Sequence, residues 1–318
     1  MKSPFMTVLA GAVTSLAMGT AVAQSDFPSK DLSYIIPFGP GGESDISARL
    51  QQEYFTDITG QEAVIEYKPG GGGAVAWSQF NDMPADGHTI IGTNLPHIIL
   101  QPLAKDVGFE TDDLNNFYFF HYSPDAILVP ADSPYQTLED LVEAAEEAPG
   151  SITFSGSGTY SANHVAQTRF DELAGITTTY IPYKGTGAAV TALKSGEVSA
   201  EWGYSTVAAN HQDDTRMLAI ASSERHPLFP DVPTFQELGY DLEGGAYRGM
   251  AVPEGTPEEA KQRLSEIFGE INQDPEFVER MQELGFFLVD VPADEVDDFL
   301  AERRAEYEEV ARAFDLID

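Results

Sequence analysis

The chain has 318 residues, enough for two domains with good cores, and its 42% hydrophobic and 11% aromatic content is that of a globular protein. Its formal charge of -35, from 52 Asp and Glu against 17 Lys and Arg, argues against a general role in gripping nucleic acid or an anionic membrane. So acidic a surface repels itself, which suggests a salt-rich habitat and predicts that stability rises from low to high salt.

Residues 1–23 read as a secretory signal: Lys2 supplies a thin positive start, 8–18 a short apolar run, and Ala21-Val22-Ala23 a cleavage site before Gln24. The alternative, a membrane anchor, needs a longer run with stronger flanks. The chain has no Cys, which removes disulfides, thiol catalysis and thiolate metal sites. No later run of about 18 apolar residues exists, so the mature chain is expected to be soluble, without direct membrane insertion.

Residues 32–36 form an apolar run ending at Pro37, and the spacing of Ile46, Leu50, Tyr54 and Ile58 predicts an amphipathic helix. Gly41 and Gly42 in the turn between them permit a close ligand approach, and the first N–H groups of the helix have no internal partner. Strand, turn and helix therefore read as a cradle for a carboxylate or phosphate. A capped turn that only joins strand to helix explains the local sequence equally well. Neither nucleotide motif fits, since the turn lacks Gly-Lys-Ser/Thr and its glycines do not fall as G-x-G-x-x-G. Asp45 reads as a first-turn acid holding the cradle, and Arg49 as the partner of an acid.

Residues 63–67 predict a second strand, followed by the glycine turn 70–73 and a helix over 74–83. After an Asp86-Gly87 turn, 88–93 predict a third strand whose end, Thr93-Asn94, lies beside the other two. Parallel strands with loops at their carboxyl edge are how open α/β sheets place ligand sites. Residues 117–121 and 126–129 read as further strands. From Asp132 the plan repeats: a Thr137-capped helix over 138–148, a strand at 152–154, a polar loop at 155–161 and a helix over 163–174. A strand at 177–181, a loop at 183–187, a helix over 188–195 and strands at 198–202 and 217–221 complete this second α/β unit. Residues 246–252 read as a strand returning to the first lobe. Thr256 and Pro257 predict the cap and first residue of a helix burying Leu264, Ile267, Phe268 and Ile271. The last helix, from about Asp294, gathers Val296, Phe299, Leu300, Arg303, Tyr307, Val310 and Phe314 on one side.

Six histidines are scattered without metal-ligand spacing, so no metal or cofactor is expected. Ser155-Gly156-Ser157-Gly158 does not fit a nucleophile elbow, and no base partner is assignable, so the chain reads as a binding protein rather than an enzyme. His164 fits packing or capping. Trp77, Trp202 and Tyr204 fit either a stacking platform or core. Lys184 and Arg248 are the cations placed nearest a cleft: Lys184 suits charge neutralisation or loop capping, with ligand contact as the alternative, and Arg248 suits a structural ion pair.

The stretch 36–45 (IPFGPGGESD) with Ala48-Arg49, the turn 68–73 (KPGGGG), 85–89 (ADGHT), Ser157-Gly158 with His164, 182–185 (PYKG), 225–234 (RHPLFPDVPT), and Arg248-Gly249 with 252–257 (VPEGTP) occur in an order that is specific in combination. With them the whole mature chain resembles the substrate-binding proteins of the tripartite tricarboxylate transporter, or Bug, family. The resemblance implies an α/β fold of two-lobed periplasmic-binding-protein (Venus flytrap) architecture, each lobe a mostly parallel sheet flanked by helices. Lobe 1 is then 24–125 plus 250–318 and lobe 2 is 126–249, with hinge crossings near 123–131 and 244–251. It implies a monomer in the periplasm, cleaved after Ala23, that closes on a small organic carboxylate and delivers it to permease subunits in the membrane. An exported hydrolase-like enzyme and a ligand-sensing subunit are the alternatives.

Carried over residue by residue, the first-lobe contacts are Phe38, Gly41, Gly42, Glu43, Ser44, Asp45, Thr93 and Asn94. The second-lobe contacts are Ser157, Gly158, Thr159, Tyr160, Ser161, Lys184, Gly185, Thr186, Tyr204 and Ser205. Three positions depart from the family. Glu43 and Tyr160 replace small residues, and Gly203 stands where relatives often carry an acid. The plainer reading of Glu43 puts its carboxylate in solvent beside a helix N-terminus. The sharper one puts it in the cleft, where it repels a second ligand carboxylate or accepts an ammonium group.

Overall fold

The computed structural model describes residues 27–313. The leader at 1–23 and Phe314 lie outside the described residues. In chain order the elements are β1 (Leu32–Ile36), α1 (Glu43–Thr59), β2 (Ala63–Tyr67), α2 (Ala74–Trp77), β3 (Thr89–Leu95), α3 (His97–Ala104), β4 (Asn115–Pro130), α4 (Leu138–Glu147), β5 (Thr153–Gly156), α5 (Ala162–Ala174) and β6 (Thr179–Pro182). There follow α6 (Thr186–Lys194), β7 (Ala200–Tyr204), α7 (Ser205–Asn210), β8 (Thr215–Ile220), β9 (Gly245–Val252), α8 (Glu258–Gln273), α9 (Pro275–Glu283), β10 (Phe287–Val291) and α10 (Val296–Ala313).

Two mixed sheets share one strand. In the first lobe β2, β1 and β3 run parallel and β9, β4 and β10 complete the sheet antiparallel. In the second lobe β6, β5 and β7 run parallel and β4 joins antiparallel, with β8 on its far side. The runs at 117–121 and 126–129 are therefore one sixteen-residue strand whose start lies in one sheet and whose end lies in the other. The carboxyl ends of β1, β3, β5 and β7 consequently face each other across a cleft, as the switch-point rule for open sheets requires.

Each lobe has its own aromatic core. Phe268 of α8 sits between Phe55, Tyr34 and Phe117 at centroid distances of 5.8, 6.3 and 6.1 Å. In the second lobe Trp202 stacks on Phe235 at 5.5 Å with Phe154 and Phe170 alongside. Trp202 is thus core, and so is Trp77, whose indole donates to the Gly92 carbonyl at 3.0 Å.

Local departures from expectation have identifiable causes. No helix spans 74–83: Gly70 to Gly73 all take positive φ, so α2 begins only at Ala74, makes one turn, and gives way to a short 3-10 turn at Phe80–Asp82. Thr256 does not cap α8, because its hydroxyl donates back to the Pro253 carbonyl at 2.8 Å and Pro257 takes the N-cap position. Thr137 does cap α4, with Asp140 closing the reciprocal bond.

Candidate ligand-binding site

The glycine turn after β1 is held from within. Asp45 Oδ2 accepts from the Gly41 N–H at 2.7 Å, while its Oδ1 takes Arg49 Nε at 2.8 Å and the Tyr67 hydroxyl at 2.6 Å. Asp45 and Arg49 therefore do what the sequence suggested. Each Asp45 oxygen holds a partner of its own lobe, so Asp45 braces the cradle.

Across the cleft the second-lobe loops close directly onto this turn. The Gly39 N–H donates to the Lys184 carbonyl at 3.2 Å, and the Glu43 N–H donates to Thr186 Oγ1 at 3.0 Å. A Cβ on Gly187 would lie 2.9 Å from both the Gly41 carbonyl carbon and the Pro40 oxygen, so the two backbones touch only because glycine is there. The N-termini of α1 and α6 thus face one another, each adding positive potential to the space between.

That space is governed by an ion pair between Glu43 and Arg248, separated by 205 residues in sequence. Glu43 is 3% exposed and Arg248 5%. The solvent-exposed placement of Glu43 is therefore wrong: its side chain turns inward from the first turn of α1 to meet the guanidinium carried by β9. Thr206 of α7 donates to Glu43 Oε1 at 3.0 Å, and Arg248 Nε reaches Ser44 Oγ at 3.3 Å. The amide orientation that satisfies both ends of Asn94 puts its oxygen 2.7 Å from Arg248 Nε. The Tyr204 ring lies 5.3 Å from the guanidinium as a cation–π partner. Arg248 Nη1 is buried without a hydrogen-bond partner, as are both ring nitrogens of His97. Burial and the nearby Arg248 push the His97 imidazole down to about 3, so it is neutral.

A cavity of about 10 Å³ remains here, lined by Phe38, Gly42, Glu43, Ser44, Asn94, His97, Ser157, Gly185, Thr186 and Arg248. Eight of these ten are residues expected from sequence. His97 was not anticipated, and Arg248 only as an ion-pair residue. A second cavity, about 290 Å³, lies between the glycine turn after β2 and the loops after β5 and β6. Gly158, Thr159, Tyr160 and Lys184 line it with Lys105 and Gln101. Among the described residues neither lysine is in an ion pair. Tyr160 stands at φ 57°, its N–H held by His164 Nδ1 at 3.1 Å, which gives His164 the structural role expected of it.

Three further expected contacts have hydrogen-bond partners within the protein. Thr93 donates to Asn116 Oδ1 at 2.6 Å, Ser161 caps α5, and Ser205 donates to the Gly285 carbonyl at 2.8 Å. Behind the cavity Ser157 donates to Asn163 Oδ1 at 2.6 Å and Asn163 donates to Asp125 Oδ1 at 2.9 Å. Burial pushes Asp125 up to about 8, so at neutral pH it is largely protonated. Glu201 is also fully buried and raised by desolvation; its Oε1 lies 3.1 Å from where a Gly203 Cβ would stand, so its carboxyl fills the space a side chain at 203 would need. Ser155 donates to the Ala189 carbonyl at 3.2 Å, so neither loop serine meets a histidine base. Among the described residues no cluster of three or more His, Asp or Glu is placed to hold a metal ion, and no helix is long and apolar enough to cross a membrane.

The family model described as the tripartite tricarboxylate transporter family receptor matches residues 47–316. BugT of Bordetella pertussis is 26% identical over 306 residues, covering 94% of each chain. A protein from the tcbD-tcbE intergenic region of Pseudomonas sp. (strain P51) is 29% identical over 289 residues, covering 87% of this chain and 85% of that one. Among solved structures the periplasmic binding protein BugD aligns with a TM-score of 0.84 at 26% identity, over 90% of this chain and 98% of that one. MatC from Rhodopseudomonas palustris with bound malate aligns with a TM-score of 0.82 at 25% identity, over 89% and 99%.

Proposed function

The chain belongs to the tripartite tricarboxylate transporter receptor family, and from that premise we propose that it captures a small organic carboxylate between its lobes, in the periplasm, and delivers it to the membrane permease of such a transporter. The observation that carries this reading is the donor set at the lobe interface. A buried guanidinium with a free N–H, the Ser44 and Thr186 hydroxyls and two opposed helix N-termini converge on one space. Among the described residues this donor set has no metal-holding cluster beside it, and Ser155 and Ser157 donate to Ala189 and Asn163 rather than to a histidine, which favours retention of an anion over its conversion. The malate bound to MatC makes four-carbon hydroxy diacids the first candidates.

Opening and closing at 123–131 and 244–251 is part of the proposal. It is supported by β4 belonging to both sheets and by Asp125, whose N–H donates to the Gly244 carbonyl at 2.9 Å while its carbonyl accepts from the Ala221 N–H at 2.8 Å. Export through the 1–23 leader and action as a monomer belong to the same reading.

The test is a thermal-shift screen of the mature chain against mono-, di- and tricarboxylates, amino acids and aromatic acids, with the solute recovered and checked by NMR. A specific ligand at about 100 times its dissociation constant stabilises by about 2.7 kcal/mol and is recovered unchanged. Turnover of the bound solute, or stabilisation by none of these acids, contradicts the proposal.

A further inference from the structure

We propose that Glu43 is an internal ligand: with the lobes closed on each other its carboxylate occupies the seat on Arg248 that the solute's carboxylate takes, so that loading exchanges one carboxylate for another. This rests on the carboxylate-binding reading above and adds to it a built-in competitor.

The geometry of the pair is that of a bound ligand. One Glu43 oxygen meets Arg248 Nη2 and the other accepts from Thr206 Oγ1 at 3.0 Å, so donors from both lobes hold the same carboxylate. The Glu43 N–H, bonded to Thr186 Oγ1, ties the same residue to α6. With Glu43 in place about 10 Å³ remains, room for roughly one water molecule and not for an acid of several heavy atoms. A solute seated against Arg248 therefore requires the Glu43 side chain to leave.

The donor set is larger than Glu43 satisfies. A guanidinium offers five N–H donors in a fork suited to two-point carboxylate binding, yet Arg248 Nη1 is buried with no acceptor. Neutral His97 carries one N–H, also without an acceptor, at the wall of the same cavity. A free carboxylate approaching from the cleft can take both Arg248 Nη groups, whereas Glu43, tethered at the start of α1, takes one.

The exchange has a consequence for selectivity. With Glu43 on Arg248 the pair is neutral overall, and an arriving anion sees no net positive charge until Glu43 departs. Weak anions are thereby excluded. A solute must also have enough further contacts to offset the broken pair, which discriminates against the smallest monocarboxylates.

Both consequences are measurable with wild type, Glu43→Gln and Glu43→Ala at constant ionic strength, using formate, acetate, malate and citrate as probes and chloride as control. Glu43→Ala is expected to melt below wild type in chloride and to be restored, saturably, by formate or acetate entering the vacated seat, while the same salts leave wild type unmoved. Glu43→Gln keeps the side-chain shape, and is expected to bind the tightest of the four probes at least tenfold more tightly than wild type. If formate and acetate stabilise Glu43→Ala no more than wild type, or if Glu43→Gln binds no probe more tightly, the internal-ligand assignment is wrong. Should Glu43→Ala not fold, the Glu43→Gln titration alone decides. Rescue by formate reads the seat directly, so a wild type stabilised by none of the acids in the wider screen would count against the transport reading without touching this one.

Discussion

Asp125 lies where β4 passes from one sheet to the other, and its titration gives the sharpest test of how that crossing is built. Burial holds its proton on until about pH 8, against an ordinary value of 3.8. At about 1.36 kcal/mol per pH unit, that displacement is worth on the order of 6 kcal/mol. The sign follows from proton counts. Between about pH 4 and pH 8 the unfolded chain has released this proton and the folded chain keeps it, so the Asp125 contribution to stability falls as pH rises and levels off above 8. Asp125→Asn preserves an oxygen to accept from Asn163 and cannot ionise. Urea denaturation of wild type and Asp125→Asn at pH 4.5, 6, 7 and 8 should therefore give midpoints that nearly coincide at the acid end and separate progressively, the variant becoming the more stable by several kcal/mol. Other carboxylates titrate equally in both proteins and cancel. A difference between the two proteins that stays constant with pH would refute the argument that Asp125 is desolvated and protonated in the fold.

Three further outcomes follow from particular contacts. Gly187→Val places a side chain on the Gly41 carbonyl carbon and the Pro40 oxygen, so the lobes should fold but not close; small-angle scattering should report a larger radius of gyration, and malate affinity should fall at least tenfold. Glu201→Gln removes a buried carboxyl that desolvation keeps protonated, so it should raise stability at pH 8 and change it little near pH 4.5 in the same urea series. Lys105→Ala with Lys184→Ala removes the unpaired cations lining the 290 Å³ cavity; stopped-flow association of malate should slow several-fold at 20 mM salt, and a slowing that persists at 0.5 M salt would show that they act by contact rather than by field.

What could be read from sequence was what depends on neighbours along the chain. The run ended by Pro37, the glycines after it and the acid at 45 determine a strand, a turn and a first-turn brace locally, and Asp45 does hold Gly41. The apolar face of α8 was equally legible, since Leu264, Ile267, Phe268 and Ile271 follow helical spacing and all are buried. What escaped depends on partners remote in sequence. Nothing near Glu43 indicates that Arg248 will lie against it, so an acid at a helix start is most simply given to solvent. β4 reads as two strands in the sequence because Ser123, Pro124 and Asp125 interrupt its apolar run; in the fold they lie where the strand passes between the sheets, and Ser123 and Asp125 are fully buried polar residues. His97 gave no local signal, standing as a single histidine in an apolar helix.

The most direct test of the central claim, that a carboxylate is seated between the lobes on Arg248, is calorimetric titration of the wild-type protein and of the charge-neutral pair Glu43→Gln/Arg248→Met with malate and citrate. Replacing both partners leaves no uncompensated buried charge, so the double variant should keep its fold. Saturable one-to-one binding by wild type and none by the double variant is the predicted result. Equal affinity in the two proteins would mean that the solute is held elsewhere.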